Sequence, residues 1–428
     1  MRPLTVAALL AVLVLVGGIL VAPGARAQAD IEVRSQDVQN QFPDGALFSL
    51  FMASASPVEE VRLRYSIAPD GTAASGVAEC TGETAVTCTF ELQSKPGTFL
   101  PPGTEITYFW DIRDAAGLTL QTEPQLFVYE DTRFDWQSVS EGNLTVWWYA
   151  GSEEEARAVL RAALESLHGM SELLGTTVAF PVKVFYYADV GDMQPAVLSS
   201  GAEDVLTLGE VVFSDTAMVS DDVRPLDIAR HEVAHIVIRQ ATKGPFDIPD
   251  WLNEGTAVLA QSELFSGQRT ALETAIRRNE VFSIRILSSA SVGATAGNVS
   301  LFYGQSWSVV SFLVDTYGPE KFAEIFAVFK EGNTTDNALM SVYGFDQDGL
   351  EDAWRRSVGL PPRERPQPSE EEPDPQPQAT AAPPEEPAAT EDTDEAFPIA
   401  GIIVAGVLTV VVAGMVVVGG VALARRWR

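Results

Sequence analysis

His231-Glu232-Val233-Ala234-His235 is the stretch that decides this chain, together with Trp251-Leu252-Asn253-Glu254-Gly255, whose glutamate follows the second histidine by nineteen residues. Histidines at i and i+4 share one face of a helix, about one turn apart, so both imidazoles reach a single ion. Glu232 points near the same spot without being needed as a ligand. A carboxylate from a following helix, Glu254, completes three protein donors and leaves a fourth position for water, the pattern of a catalytic rather than a structural zinc site. The whole chain has three histidines, and this motif uses two of them. The residues therefore predict a Zn2+ hydrolase site with His231, His235 and Glu254 as ligands. Glu232 is the expected general base. It would take a proton from a water whose pKa zinc lowers to about 7, then pass it to a leaving amine. Tyr303, in Leu301-Phe302-Tyr303-Gly304-Gln305, is the candidate donor to a developing oxyanion; a packing tyrosine at a helix start is the alternative. Asp227 lies one turn before His231 and reads either as a brace for an imidazole or as a helix-terminus acid. His168 reads as an ordinary helix residue.

Outward from this centre, the pattern changes on both sides. Residues 30–131 have period two: Val61, Leu63, Tyr65 and Ile67 alternate with polar residues, as do Val86, Cys88, Phe90 and Leu92, and Ile106, Tyr108, Trp110 and Ile112. Pro69-Asp70-Gly71, Pro101-Pro102-Gly103 and Asp114-Ala115-Ala116-Gly117 punctuate them. This predicts an all-β sandwich, immunoglobulin-like or fibronectin-like, with no catalytic feature. Its role is either to pack on its neighbour or to bind a protein partner. Residues 132–360 read as a mainly α domain. Ser152 and Glu155 form a capping box for a helix to about Leu174. Pro181 to Tyr187 is a strand, and Val205 to Val219 holds one or two more. Pro225 opens the histidine helix, Pro249-Asp250 the Glu254 helix, and helices over Leu301–Tyr317 and Pro319–Lys330 precede two short ones ending near Val358. The fold class is α+β, a sandwich followed by a zincin-type metallopeptidase domain, with a C-terminal transmembrane helix.

The ends set the compartment. Arg2 precedes an uncharged run from Leu4 to Ala22, and small-x-small patterns near Ala27 make 1–29 a signal peptide. Residues 361–396 hold ten prolines and no aromatic residue, a composition that does not fold and predicts an extended spacer. Ile399 to Ala424 is 26 residues without a charge, so 397–424 reads as a single membrane helix. Arg425, Arg426 and Arg428 follow and put residues 425–428 in the cytoplasm, with everything before Phe397 outside. Net charge is −31 and the pI near 4.3, which argues against nucleic acid as a partner. Ten acids and no base between 369 and 396 carry much of that charge. Two cysteines, Cys80 and Cys88, lie close together; outside the cell they predict a disulfide, with two buried thiols as the alternative. Asn143, Asn298 and Asn333 fit glycan acceptor triplets.

At His231–His235, at Glu254 in Trp251–Ala257, and at Tyr303-Gly304-Gln305-Ser306 with Tyr317–Lys321, the sequence resembles the gluzincin peptidases. The likeness is to the bacterial peptidase MA-like families related to the M1 aminopeptidases, over residues 134–358. It implies zinc on His231, His235 and Glu254, with Glu232 as base. Two departures bear on the substrate. M1 aminopeptidases carry Gly-x-Met-Glu-Asn upstream, whose glutamate holds the substrate's free amine; here the stretch is Gly209-Glu210-Val211-Val212-Phe213. Thermolysin-like enzymes place an aspartate four residues after the third ligand, where this chain has Val258. The expected activity is an endopeptidase acting on exposed polypeptide. A surface adhesion or scaffold protein with an inactive peptidase-like domain is the alternative, and the same chemistry also suits a non-peptide amide.

Overall fold

The computed structural model describes residues 31–69, 71–95, 98–197, 207–213, 215–245, 247–289, 298–364 and 408–411. The expected signal peptide and nearly all of the expected linker lie outside the described residues.

The alternating sequences form two sheets. Strands β1 (Ile31–Gln41), β2 (Gly45–Ser54), β3 (Val58–Ile67), β4 (Thr72–Val77), β5 (Glu79–Thr81), β6 (Ala85–Gln93), β7 (Thr104–Asp114), β8 (Thr119–Gln121) and β9 (Gln125–Tyr129) follow in order. One sheet runs β1-β2-β6-β5; the other runs β4-β3-β7-β8, with β9 also on β7. Their inward residues, among them Phe48, Leu50, Leu63, Val86, Cys88, Ile106 and Trp110, make one core. That is the expected sandwich. Cys80 and Cys88 face each other across β5 and β6 and form a disulfide.

A third sheet begins with β10 (Gln137–Glu141) and β11 (Leu144–Trp148). Helix α1 (Glu153–Leu173) leads to β12 (Val182–Tyr187), short α2 (Val190–Met193), β13 (Thr207–Phe213) and β14 (Thr216–Ser220). Ser152 and Glu155 make both halves of the capping box at the start of α1. Strands β11, β12 and β14 run parallel and adjacent, with β13 antiparallel to β14. Helices α3 (Pro225–Thr242), α4 (Asp250–Leu259), α5 (Ser266–Arg278), α6 (Ile284–Leu287), α7 (Val299–Tyr317), α8 (Pro319–Lys330), α9 (Thr335–Tyr343) and α10 (Gln347–Ser357) complete the domain. Val146, Trp148, Val184, Tyr186, Ala217 and Val219 face α1 and α3 in the main core. The other face carries Phe185, Tyr187 and Met218, packed with Trp136, Trp147, Tyr149 and with Phe42 and Phe99 from the sandwich. The hairpin β10–β11 and helix α5 are additions to the sequence reading.

Of the expected membrane helix, 397–424, all but Leu408–Val411 lies outside the described residues. Among the described residues no helix is long and apolar enough to cross a membrane. Of the uncharged run 399–424, the described residues Leu408–Val411 form β15, antiparallel to β13. Leu-Thr-Val-Val has high strand propensity, and the open edge of β13 offers unpaired backbone groups.

Candidate metal centre

Helix α3 passes through the middle of the domain and is buried on nearly every side, so its polar residues are held by packing. His231 and Glu232 are 0% exposed and His235 is 4% exposed. Pro225 sits in its first turn, and Arg224 before it adopts a left-handed conformation with φ 47°. Helix α4 crosses α3 and brings in Glu254, 5% exposed.

The three donors form a small triangle. His231 Nε2 and His235 Nε2 are 3.0 Å apart, and Glu254 Oε2 lies 3.4 Å from the first and 3.6 Å from the second. A tetrahedral ion with bonds of about 2.0–2.1 Å sets its ligands about 3.3–3.4 Å apart. The observed edges bracket that value, and among the described residues this is the one group of His, Cys, Asp or Glu assembled closely enough for a metal. Two imidazole nitrogens and one carboxylate oxygen are the donor types zinc takes in catalytic sites.

Electrostatics prepares the donors. Burial lowers the His231 pKa to about 4, so its ring is neutral and keeps a lone pair. Burial alone would raise Glu254, but the pull of His235 and His231 outweighs it and carries the carboxyl down to about 2. Behind each histidine stands an amide. Asn253 Oδ1 is 3.1 Å from His235 Nδ1, and Gln261 Nε2 is 3.0 Å from His231 Nδ1. A proton on His235 Nδ1, donated to Asn253, leaves Nε2 free for a metal.

Tyr303 comes to the site on α7. Its ring is buried and lies 6.1 Å, centroid to centroid, from that of His231. Close helix packing sets this: a Cβ on Gly255, beside Glu254, would fall 2.4 Å from Ser306 O, and one on Gly304, beside Tyr303, 2.6 Å from Gln268 O.

The other expected residues divide. His168 is exposed on α1. Asp227 touches no imidazole; it accepts from the Ser262 backbone N–H at 2.8 Å and pairs with Arg224 and Arg230. The Glu210 side chain lies outside what is described. Asn143 donates its amide to Val178 O and Phe180 O, and Asn333 donates to Val328 O, so both amides serve the fold. Gln261 was missed altogether: a glutamine seven residues past Glu254 has no signal in a single sequence. Asn253 was in view as part of the motif, without a role.

Comparison with known proteins adds the following. No curated protein matches this sequence. Among solved structures, the Br derivative of BhCBM56 is similar at 11% identity, over 23% of this chain and 98% of that one, with a TM-score of 0.17. Wild-type OgpA from Akkermansia muciniphila is similar at 18% identity, over 24% of this chain and 28% of that one, with a TM-score of 0.20. Catalytically inactive OgpA in complex with an O-glycopeptide (glycodrosocin) gives 17% identity, 24% and 30% coverage and a TM-score of 0.19. This chain thus spans under a third of the OgpA chains, and likeness at these TM-scores carries no argument. The match that bears on the site is to a family model: residues 162–359, from α1 to the end of α10, match the Peptidase MA superfamily, which supports a zincin-like peptidase domain there.

Proposed function

We propose that this chain is a zinc-dependent endopeptidase working outside the cytoplasm, tethered by its C-terminal end. The observation that carries the reading is the donor triangle of His231, His235 and Glu254, with edges of 3.0, 3.4 and 3.6 Å. Zinc held there supplies Lewis acidity, which makes a water more acidic and polarises a carbonyl. Glu232, the neighbour of His231 on α3, takes the proton from the attacking water and returns it to the leaving amine. Tyr303 donates to the oxygen on which charge develops. The family match over residues 162–359 supports a polypeptide substrate. An internal peptide bond is the favoured target, because the free-amine motif of the aminopeptidases is missing from Gly209–Phe213.

The compartment reading rests on the two ends and on the Cys80–Cys88 disulfide. In lipid, the uncharged run 399–424 satisfies its backbone groups as a helix.

The test is zinc content and peptidase activity of the full chain, beside Glu232→Gln. One zinc in both, with cleavage by the wild type alone, is the expected result. Zinc without cleavage of any peptide library would favour a scaffold, and no zinc in the wild type would overturn the reading.

A further inference from the structure

Behind His231, on the side away from Glu254, the turn after α4 is clamped onto the start of α3. Gln261 is 8% exposed, with Nε2 3.0 Å from His231 Nδ1 and a buried Oε1 that makes no hydrogen bond. The next residue, Ser262, donates its backbone N–H to Asp227 Oδ1 at 2.8 Å. Asp227 is itself held on both sides, by Arg224 Nε at 2.9 Å and by Arg230 Nη1 at 3.4 Å. Those arginines reach outward, Arg230 to Glu165 on α1 at 2.7 Å and Arg224 to Glu263 at 3.2 Å. The polar groups thus form one path from the surface of α1, through Asp227 and the 261–263 turn, to the ring of His231.

The chemistry of that ring gives the path a purpose. An imidazole that offers Nε2 to a metal carries its proton on Nδ1, and the group accepting that proton fixes both tautomer and ring orientation. A glutamine amide has an acceptor at one end and a donor at the other, exchanged by a half-turn with little change of shape. Half a turn of Gln261 sets the unpartnered Oε1 against Nδ1–H. His231 then has the kind of acceptor that Asn253 gives His235.

We infer that Gln261 and Asp227 are positioning residues for the metal: Gln261 holds His231 in the tautomer that presents Nε2, and Asp227 holds Gln261 in place by pinning Ser262. This rests on the zinc reading above. Gln261→Met keeps length and burial but removes the acceptor, and loss of such a partner lowers metal affinity about 10–100-fold. Gln261→Glu accepts in either orientation and keeps at least the wild-type affinity. Asp227→Ala frees the turn and weakens zinc through Gln261, so the double variant is no weaker than Gln261→Met alone.

The experiment measures zinc dissociation constants of the full chain by competition with a chromogenic chelator, with metal-free thermal midpoints alongside. Should Asp227→Ala not fold, Asp227→Asn replaces it: it retains an acceptor for Ser262 but loses the arginine pairing, and an intermediate affinity is expected. Wild-type affinity in Gln261→Met, equal weakening in Gln261→Met and Gln261→Glu, or losses that add in the double variant would each overturn the inference while leaving the zinc site standing. A wild type without zinc overturns both.

Discussion

Burial separates the three histidines. His168 stands exposed on α1, whereas His231 and His235 are enclosed, and burial lowers the His231 pKa so that its ring is neutral. Tyr303 shares that enclosure, its ring 6.1 Å from that of His231. If its hydroxyl meets the charge that forms during hydrolysis, Tyr303→Phe lowers kcat about 10²–10³-fold with KM and zinc content nearly unchanged. Steady-state kinetics with metal analysis decides this, and an unchanged kcat would reduce Tyr303 to packing. Asp227 gives a prediction on pH. Burial alone would raise its carboxyl, but the Ser262 backbone and side chain and Arg224 bring it below the usual value. A carboxyl lowered on folding stabilises the folded state above its unfolded pKa, near 3.9, and that contribution fades as pH falls through the lower folded-state value. Wild-type stability therefore drops more steeply below about pH 4 than that of Asp227→Asn. Parallel urea midpoints for the two proteins across that range would count against the pairing.

At the scale of elements, α4, α5 and α7 meet through glycines set beside the candidate site residues Glu254 and Tyr303. Gly255 follows Glu254, and its Cβ would lie 2.4 Å from Ser306 O and 2.7 Å from Val310 Cγ2. Gly255→Ala must push α7 away, at a cost of about 1–3 kcal/mol, and Tyr303 moves with it. Calorimetry and activity together test this: a lower thermal midpoint with reduced cleavage is expected, and neither would change if α7 could yield freely. None of this is legible in one sequence, because a glycine inside a helix does not announce which backbone it admits. What was legible has local causes. Ser152 with Glu155 marks the start of α1, and prolines stand in the first turns of α3 and α8. Period-two runs gave the sandwich. The hairpin β10–β11 was missed because its strands have five residues each, and the adjacent Trp147 and Trp148 face opposite covered sides, which erases the alternation. Helix α5 was missed because its buried residues include only Gln268, Leu272 and Ala275. The two histidines of the donor triangle were read from i, i+4 spacing; Gln261 arrives from a turn, and only the folded chain brings it to His231.

For the whole molecule, the sandwich is part of how the peptidase-like domain closes its core. The sheet of that domain has helices on one face and, on the other, Phe185, Tyr187 and Met218 beneath sandwich residues Phe42 and Phe99. Gly103, at φ +82°, lets its loop press on Phe185, where a Cβ would come within 2.8 Å of the ring. Lys183 seals the contact, donating to Gly103 O at 2.8 Å and pairing with Glu105 at 3.0 Å and Asp215 at 3.2 Å. Asp131, at the join, accepts from Arg133 and from the Tyr187 hydroxyl. A buried aromatic face with an ion pair across it couples two domains far more firmly than a tether would. The described domains should therefore unfold together in a single calorimetric transition. Phe185→Ala removes the central ring at a cost of about 3–5 kcal/mol and uncouples them, giving two transitions with the peptidase-like domain melting first. Two resolved transitions already present in the wild type would show instead that the sandwich is an independent module, free to hold a partner of its own.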